Sequence, residues 1–374
     1  MVKGIYIHIP FCSYKCPYCD FTSVVSYPLK HEDYIKLLIR EAKLYGDVSA
    51  KIESVYFGGG TPTLLPPYLL GKLLEELDRL FNLSGVLEIT VECNPETYRY
   101  NEFKELLSAG VNRLSIGVQS FTEKGLRILS REHSVEESIR AYMDAREAGF
   151  ENVNLDLIFA FPEQKPEDIS TELNWIGSLK PDHVSAYMLT PYGGTPMGNK
   201  ILGGEMQTPE EETLEDIYTR LWKGLKELGY GRYEISNWAK EGKECRHNLL
   251  YWTMEEFLGL GVSAWGFLEK KRYGNSKNIG SYIKAVSELK RPVQSEIGLS
   301  EKELYEEELM LKLRLKWGLR EEELTLVPEH LRGFFEVREG KVGIREEFML
   351  LTNELITDVL LYNSDRNITE VRNG

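Results

Sequence analysis

Apolar residues recur along this chain in short alternating or continuous runs, each followed by a segment whose apolar positions fall three and four apart. The short runs predict strands over Gly4–Ile9, Ile52–Phe57, Val86–Glu92, Arg113–Val118, Asn152–Ile158 and His183–Leu189. The longer periodic segments predict helices over His31–Tyr45 (ended by Gly46), Tyr68–Phe81, Glu102–Ala109 (stopped by Gly110), around Thr122–Leu129, Val135–Ala148 and Pro166–Ser178. Strands alternating with helices are the signature of a parallel sheet covered by helices, an α/β fold. Six units fall short of the eight of a closed (β/α)8 barrel, so an open or partial six-stranded barrel is expected. Its functional residues should lie at the C-terminal ends of the strands and in the loops that follow.

Past Pro191 the alternation weakens. Pro191–Pro196 and Leu202-Gly203-Gly204 read as loop, Glu210–Leu228 as a long helix and Trp265–Tyr273 as a hairpin. From about Ser300 the order is helix, helix, hairpin over Phe335–Ile344 turning near Glu339-Gly340, and helix. That order is compatible with a smaller α+β, winged-helix-like domain. The expected division is 1–190 for the partial barrel with its N-terminal loop, 191–299 for a region completing it, and 300–374 for the C-terminal domain.

Charge narrows the partners. With 45 Lys and Arg against 59 Asp and Glu, the net charge is −14, which speaks against nucleic acid as a partner, for the winged-helix-like tail as well. Runs such as Glu306-Glu307-Glu308 read as solvated helix faces. No apolar stretch approaches the ~20 residues of a transmembrane helix, and peripheral membrane attachment is left open. Met1-Val2-Lys3-Gly4 leads straight into the first strand without a secretory h-region. Five cysteines not arrayed as a disulfide framework fit a reducing cytoplasm.

Three of those cysteines, Cys12, Cys16 and Cys19, lie in Phe11-Cys12-Ser13-Tyr14-Lys15-Cys16-Pro17-Tyr18-Cys19-Asp20 with C-x3-C-x2-C spacing, directly after the first strand. Disulfides would leave an odd thiol, and zinc would need a fourth ligand when Cys93 and Cys245 are far away in sequence. Three thiolates on a [4Fe–4S] cluster leave one iron open to a ligand. The spacing, with Tyr18 before the third cysteine, resembles the radical S-adenosylmethionine (SAM) superfamily. There the open iron is chelated by the amino and carboxylate groups of SAM, and the reduced cluster supplies the electron that cleaves the sulfonium.

Gly58-Gly59-Gly60-Thr61-Pro62 follows the second strand. Alone it is a glycine-rich turn, and no Gly-Lys-Ser/Thr makes it a P-loop. One unit after the cysteine loop, it resembles the glycine motif that contacts the SAM amino group. Glu92, Gln119 and Asp156 stand at the ends of later strands, where a carboxylate is costly unless it is paired or binds something. Arg131 offers a planar fork for a carboxylate, and equally a helix cap.

These blocks together resemble the oxygen-independent coproporphyrinogen III oxidase group over nearly the whole chain: Tyr6-Ile7-His8-Ile9-Pro10-Phe11-Cys12, Gly58–Pro62, Glu92-Cys93-Asn94-Pro95, Asn112–Phe121 and Asn154-Leu155-Asp156. The resemblance implies a SAM pocket lined by Tyr6, Tyr18, Gly59, Gly60, Thr61, Glu92, Gln119, Arg131 and Asp156, with Thr190 and Trp265 as further pocket positions. The oxidases carry another cysteine two residues after the third, where this chain has Phe21, and an N-terminal extension. Cys-Asp-Phe and the block Cys245-Arg246-His247-Asn248-Leu249-Leu250-Tyr251-Trp252 resemble instead the sister family of HemW-type heme chaperones, with its His-Asn-x-x-Tyr-Trp signature.

That resemblance implies heme as a third cofactor and heme-accepting proteins as partners, with His247 or Cys245 as candidate iron ligands. The alternative is SAM-dependent oxidative decarboxylation of coproporphyrinogen III to protoporphyrinogen IX. From the residues alone, imidazole is a good axial ligand, but a histidine beside aromatics is more often a packed residue with satisfied nitrogens. Cys93 and His8 read as packing residues, and His31, His133, His183 and His330 carry no motif.

Overall fold

The computed structural model describes residues 1–364. Strand β1 (Val2–Ile9) leads through the cysteine loop to helix α1 (His31–Lys43). Then β2 (Ala50–Gly59) is followed by α2 (Pro67–Phe81), β3 (Glu88–Cys93) by α3 (Tyr100–Ser108), and β4 (Arg113–Gln119) by α4 (Glu123–Ile128) and α5 (Val135–Ala148). Next, β5 (Val153–Phe159) is followed by α6 (Pro166–Leu179), and β6 (His183–Met188) by α7 (Pro196–Leu202) and α8 (Glu211–Glu227). The six strands pair in chain order and in parallel, with no pairing of β1 to β6. This is the expected α/β partial barrel. Its strands are buried on both faces, β4 along all but its last residue, which is why they read as apolar runs. The helices lay one apolar stripe on them: Leu70, Leu73, Leu77 and Phe81 of α2 are buried.

The sheet is wider than six strands. Beyond β6 come β8 (Asn237–Ala239), antiparallel to it, and β7 (Gly231–Glu234). At the other edge, after α9 (Arg246–Trp252), β9 (Phe257–Leu260) pairs in parallel with β1. The antiparallel strands β10 (Trp265–Leu268), β11 (Lys271–Asn275) and, past α10 (Ile279–Ser287), β12 (Val293–Gly298) complete a 12-stranded sheet. The C-terminal part holds α11 (Glu301–Lys312), β13 (Leu319–Arg320), β14 (Phe335–Arg338), β15 (Lys341–Ile344) and α12 (Thr352–Ser364), the strands forming a small sheet in the order β13-β15-β14. The hairpin turns at Glu339 and Gly340, both at positive φ, as a tight hairpin requires. The second helix expected before it does not form. Two 3₁₀ turns, Glu321–Leu326 and Glu329–Phe334, stand there instead, separated by Pro328, which cannot donate a helical hydrogen bond. Among the described residues, no helix is long and apolar enough to cross a membrane.

A buried carboxylate ties α1 to the strands beyond β1. Glu41 is fully buried; Gly261 N and the Tyr282 hydroxyl donate to its Oε2 at 2.8 and 2.6 Å, and Asn275 Nδ2 to its Oε1 at 2.6 Å. Burial outweighs these donors and pushes its pKa from 4.5 up to about 7. Between those values the folded protein keeps a proton that the unfolded chain has released. Stability therefore falls as pH rises through the interval, and the penalty is complete above it. Glu41→Gln removes this titration. The Tm of the variant relative to the parent should climb through the interval and level off above it, as read by calorimetry from about pH 5 to 8. A difference that does not change with pH would contradict the assignment.

Candidate functional site

The cysteine loop is stitched to the barrel at many points. Cys12 N donates to Val24 O at 3.0 Å and Val24 N to Pro10 O at 2.7 Å, so the loop closes on the end of β1. His8 Nε2 lies 2.7 Å from Thr22 O, the Thr22 hydroxyl donates to Ser263 Oγ at 2.9 Å, and Met197 N donates to Pro17 O at 2.8 Å. All three cysteines are free and half-buried, and all three line one cavity of 690 Å³ at the C-terminal ends of the strands. Burial pushes the Cys12 and Cys19 thiols up, so metal binding there displaces protons. No three His, Cys, Asp or Glu side chains among the described residues converge as ligands of a single ion; a four-iron cluster takes its cysteines on separate irons.

The glycine turn brings bare backbone against this loop. Gly60 N donates to Ile9 O and Thr61 N to Phe11 O, each at 2.7 Å. A Cβ on Gly60 would lie 2.5 Å from Phe11 O and 3.0 Å from Cys12 Sγ. Gly59, at φ +114°, donates its N–H to Glu92 Oε2 at 3.1 Å, while the Tyr56 hydroxyl donates to Glu92 Oε1 at 2.9 Å. Burial and then the neighbouring Asp156 push the Glu92 pKa up to about 7. Asp156 is also raised by burial, although Ser115 Oγ and Asn154 Nδ2 each donate to it at 2.8 Å. Two desolvated carboxylates on one wall favour a cationic ligand.

Arg131 bridges loop and barrel. Its Nη1 donates to Cys16 Sγ at 3.2 Å and its Nη2 to Asn94 Oδ1 at 2.9 Å, while its buried Nε has no partner among the described residues. Gln119 ends β4 in the left-handed region, φ +66°, where the β4–β5 register shifts; such irregularities re-aim a side chain at the end of a strand. Tyr18, Gly59, Gly60, Thr61, Glu92, Gln119, Arg131, Asp156 and Thr190 all line the cavity.

Tyr6 and Trp265 are not on that wall. Tyr6 lies behind it, stacked on Tyr56 with its hydroxyl 3.1 Å from His8 Nδ1, and Trp265 is 41 % exposed on β10. Asn94, Tyr56 and Tyr14 were not singled out by the sequence; Asn94 stands within the Glu92–Pro95 block, and Tyr14, under the Arg131 guanidinium, within the cysteine loop.

In this conformation the imidazole of the Cys245–Trp252 block is packed, as the alternative reading of a histidine beside aromatics has it. His247 is fully buried, with Nδ1 2.8 Å from Ser54 Oγ and Nε2 2.8 Å from the Tyr251 hydroxyl. Its ring stacks on Tyr56, and burial lowers its pKa to about 3. Glu88 of β3 caps the start of α9, accepting from Arg246 N at 3.0 Å, His247 N at 3.1 Å and Cys245 Sγ at 3.4 Å. A carboxylate there satisfies the free N–H groups of the first turn. Cys245 is buried and its thiol pushed up to about 12, foremost by burial. The block thus braces the back of Tyr56, which lines the cavity.

A family model for the radical SAM superfamily matches residues 6–176. Heme chaperone HemW of Lactococcus lactis is 35% identical over 366 residues, 98% of this chain and 92% of that protein. Heme chaperone HemW of Escherichia coli is 38% identical over 70% of this chain and 69% of that protein. The solved structure of coproporphyrinogen III oxidase (HemN) from Escherichia coli, a radical SAM enzyme, superposes with a TM-score of 0.81 over 96% of this chain and 90% of that one, at 23% identity; it shows a common fold. The superfamily implies a [4Fe–4S] cluster and SAM, and the thiols, bare glycine backbone and buried carboxylates of the cavity suit both. The chain belongs to the HemW family of the radical SAM superfamily.

Proposed function

We propose that this chain is a cytoplasmic heme chaperone that binds a [4Fe–4S] cluster, SAM and heme, and passes heme to acceptor proteins. One observation carries the reading. The cavity that holds the three cysteines continues past Tyr187 and Met188 to Leu350 and Asn353 of the C-terminal part. Its wall thus extends beyond the residues that suit the cluster and SAM, into a largely apolar part of Tyr187, Met188, Ile235 and Leu350 of the kind that holds a flat apolar ligand. The heme chaperone relatives supply the identity of that ligand.

In this reading Cys12, Cys16 and Cys19 hold the cluster, whose chemistry with SAM is one-electron reduction. Gly59, Gly60 and Thr61 offer backbone to the SAM amino group. Glu92, Asp156 and Gln119 serve its positive charge and ribose hydroxyls, and Arg131 its carboxylate. Residues 1–190 carry the cofactors, 191–299 flank the barrel, and the described part of the C-terminal domain from 300 on supplies the far wall through Arg314, Leu350 and Asn353. Ligation of heme iron by His247 or Cys245 requires α9 to release Ser54, Tyr251 and Glu88 first.

Phe21, 62% exposed at the cavity, stands where the oxidases have a cysteine, which speaks against decarboxylation. Anaerobically reconstituted protein is expected to bind hemin at one per chain and to leave coproporphyrinogen III unconverted with SAM and reductant. Steady conversion to protoporphyrinogen IX without hemin binding would replace this reading with the oxidase.

A further inference from the structure

Beyond the cofactor residues, the cavity wall takes in Tyr187, Met188, Ile235, Leu350, Asn353 and Arg314. Tyr187 and Met188 end the buried strand β6 yet are 42% and 45% exposed. Both line the cavity, to which that open surface belongs. Into this largely apolar wall Arg314 sets a half-buried guanidinium.

The two fully buried arginines face carboxylates: Arg232 meets Glu346 at 2.7 Å and Arg113 meets Glu88 at 4.0 Å. Arg314 has a neutral partner instead, its Nη2 donating to Asn353 Oδ1 at 3.1 Å. Burial outweighs the attraction of Glu234 and lowers the Arg314 pKa. The Glu234 carboxylate is itself engaged, by Ser236 N at 3.2 Å and by the Asn237 side-chain amide. A guanidinium drawn out of water in this way gains most from an anion that fits its planar fork.

We infer that Arg314, steadied by Asn353, anchors a carboxylate at the edge of a flat apolar ligand lying against Tyr187, Met188 and Leu350. The ligand class is a porphyrin bearing a propionate. This rests on the heme reading above and adds the group that orients the ligand, from a part of the chain outside the barrel.

The test pairs a protein change with a ligand change. Hemin and hemin dimethyl ester, whose propionates are blocked, are titrated into reconstituted parent protein, Arg314→Gln and Arg314→Lys. Arg314→Gln should weaken hemin binding roughly 10- to 100-fold, the range of a charge-assisted pair. The parent should bind the ester as weakly as Arg314→Gln binds hemin, Arg314→Gln should not tell the two ligands apart, and Arg314→Lys should recover part of the loss. SAM affinity, followed in parallel, should stay constant, which separates a porphyrin carboxylate from that of SAM. Equal binding of hemin and ester by the parent overturns the anchor and leaves the heme reading intact; this arm needs no variant to fold. A loss of SAM affinity in Arg314→Gln, with hemin binding kept, assigns the guanidinium to SAM instead. Failure of the parent to bind hemin overturns both readings.

Discussion

Cys16→Ser is expected to fold with near-parental stability and to retain no [4Fe–4S] cluster after anaerobic reconstitution. Cys16 is half-buried on a loop held by backbone bonds from Cys12, Val24 and Met197, so the barrel loses little when its sulfur is exchanged for oxygen. The cluster loses one of only three protein ligands, and a serine hydroxyl is a poor replacement for a thiolate. Arg131 Nη1 donates to Cys16 Sγ at 3.2 Å, which holds that sulfur toward the cavity wall. Cys93→Ser is the control: that thiol is buried at the end of β3, its Sγ donating to Asn94 O at 3.2 Å. There the expected cost is in stability, about 1–2 kcal/mol, with iron content kept. Iron and sulfide analysis with the visible absorption of the cluster gives the answer. A Cys16→Ser protein with the parental cluster spectrum would remove the central assignment.

The contrast between these two cysteines shows what a sequence discloses. The cysteine loop and the Gly59–Thr61 turn act within a few residues of themselves, so their spacing carries their chemistry. The six central strands are legible for a related reason, since burial on both faces writes a continuous apolar run. Strands β7, β8 and β9 are only three or four residues long, too short for a period to register. The packing of the Cys245–Trp252 block is only partly legible because most of its partners are remote. Tyr251, which meets one ring nitrogen, is four residues on, but Glu88 is 159 residues from His247 and Ser54, at the other nitrogen, is 193 residues away, and no local pattern names those two. Arg314 was silent for the same reason: its significance lies in the apolar wall around it, built by the end of β6 and the turn that precedes α12.

Gly60→Ala should do nearly as much damage as losing a ligand, without touching one. The added methyl carbon would stand 2.5 Å from Phe11 O, 2.9 Å from the Pro10 carbonyl carbon and 3.0 Å from Cys12 Sγ. Two of those atoms are backbone, and that backbone has little freedom. Gly60 N and Thr61 N hold Ile9 O and Phe11 O at 2.7 Å, and Val24 N holds Pro10 O at 2.7 Å. Relief on the other side is blocked as well, because Gly59 is at φ +114° with the His8 ring 2.6 Å from where its own Cβ would be. Overpacking of this kind costs about 1–3 kcal/mol, which a domain of this size survives, so the variant should fold. The strain is relieved by moving the start of the cysteine loop, which displaces Cys12 relative to Cys16 and Cys19. SAM affinity should therefore fall at least roughly tenfold, about 1.4 kcal/mol, and cluster occupancy should fall with it. Gly85→Ala, an exposed position where a Cβ meets nothing within 4 Å, should leave both unchanged. Equilibrium dialysis with labelled SAM on reconstituted proteins decides the matter: parental affinity in Gly60→Ala would mean that the glycine turn is only a turn.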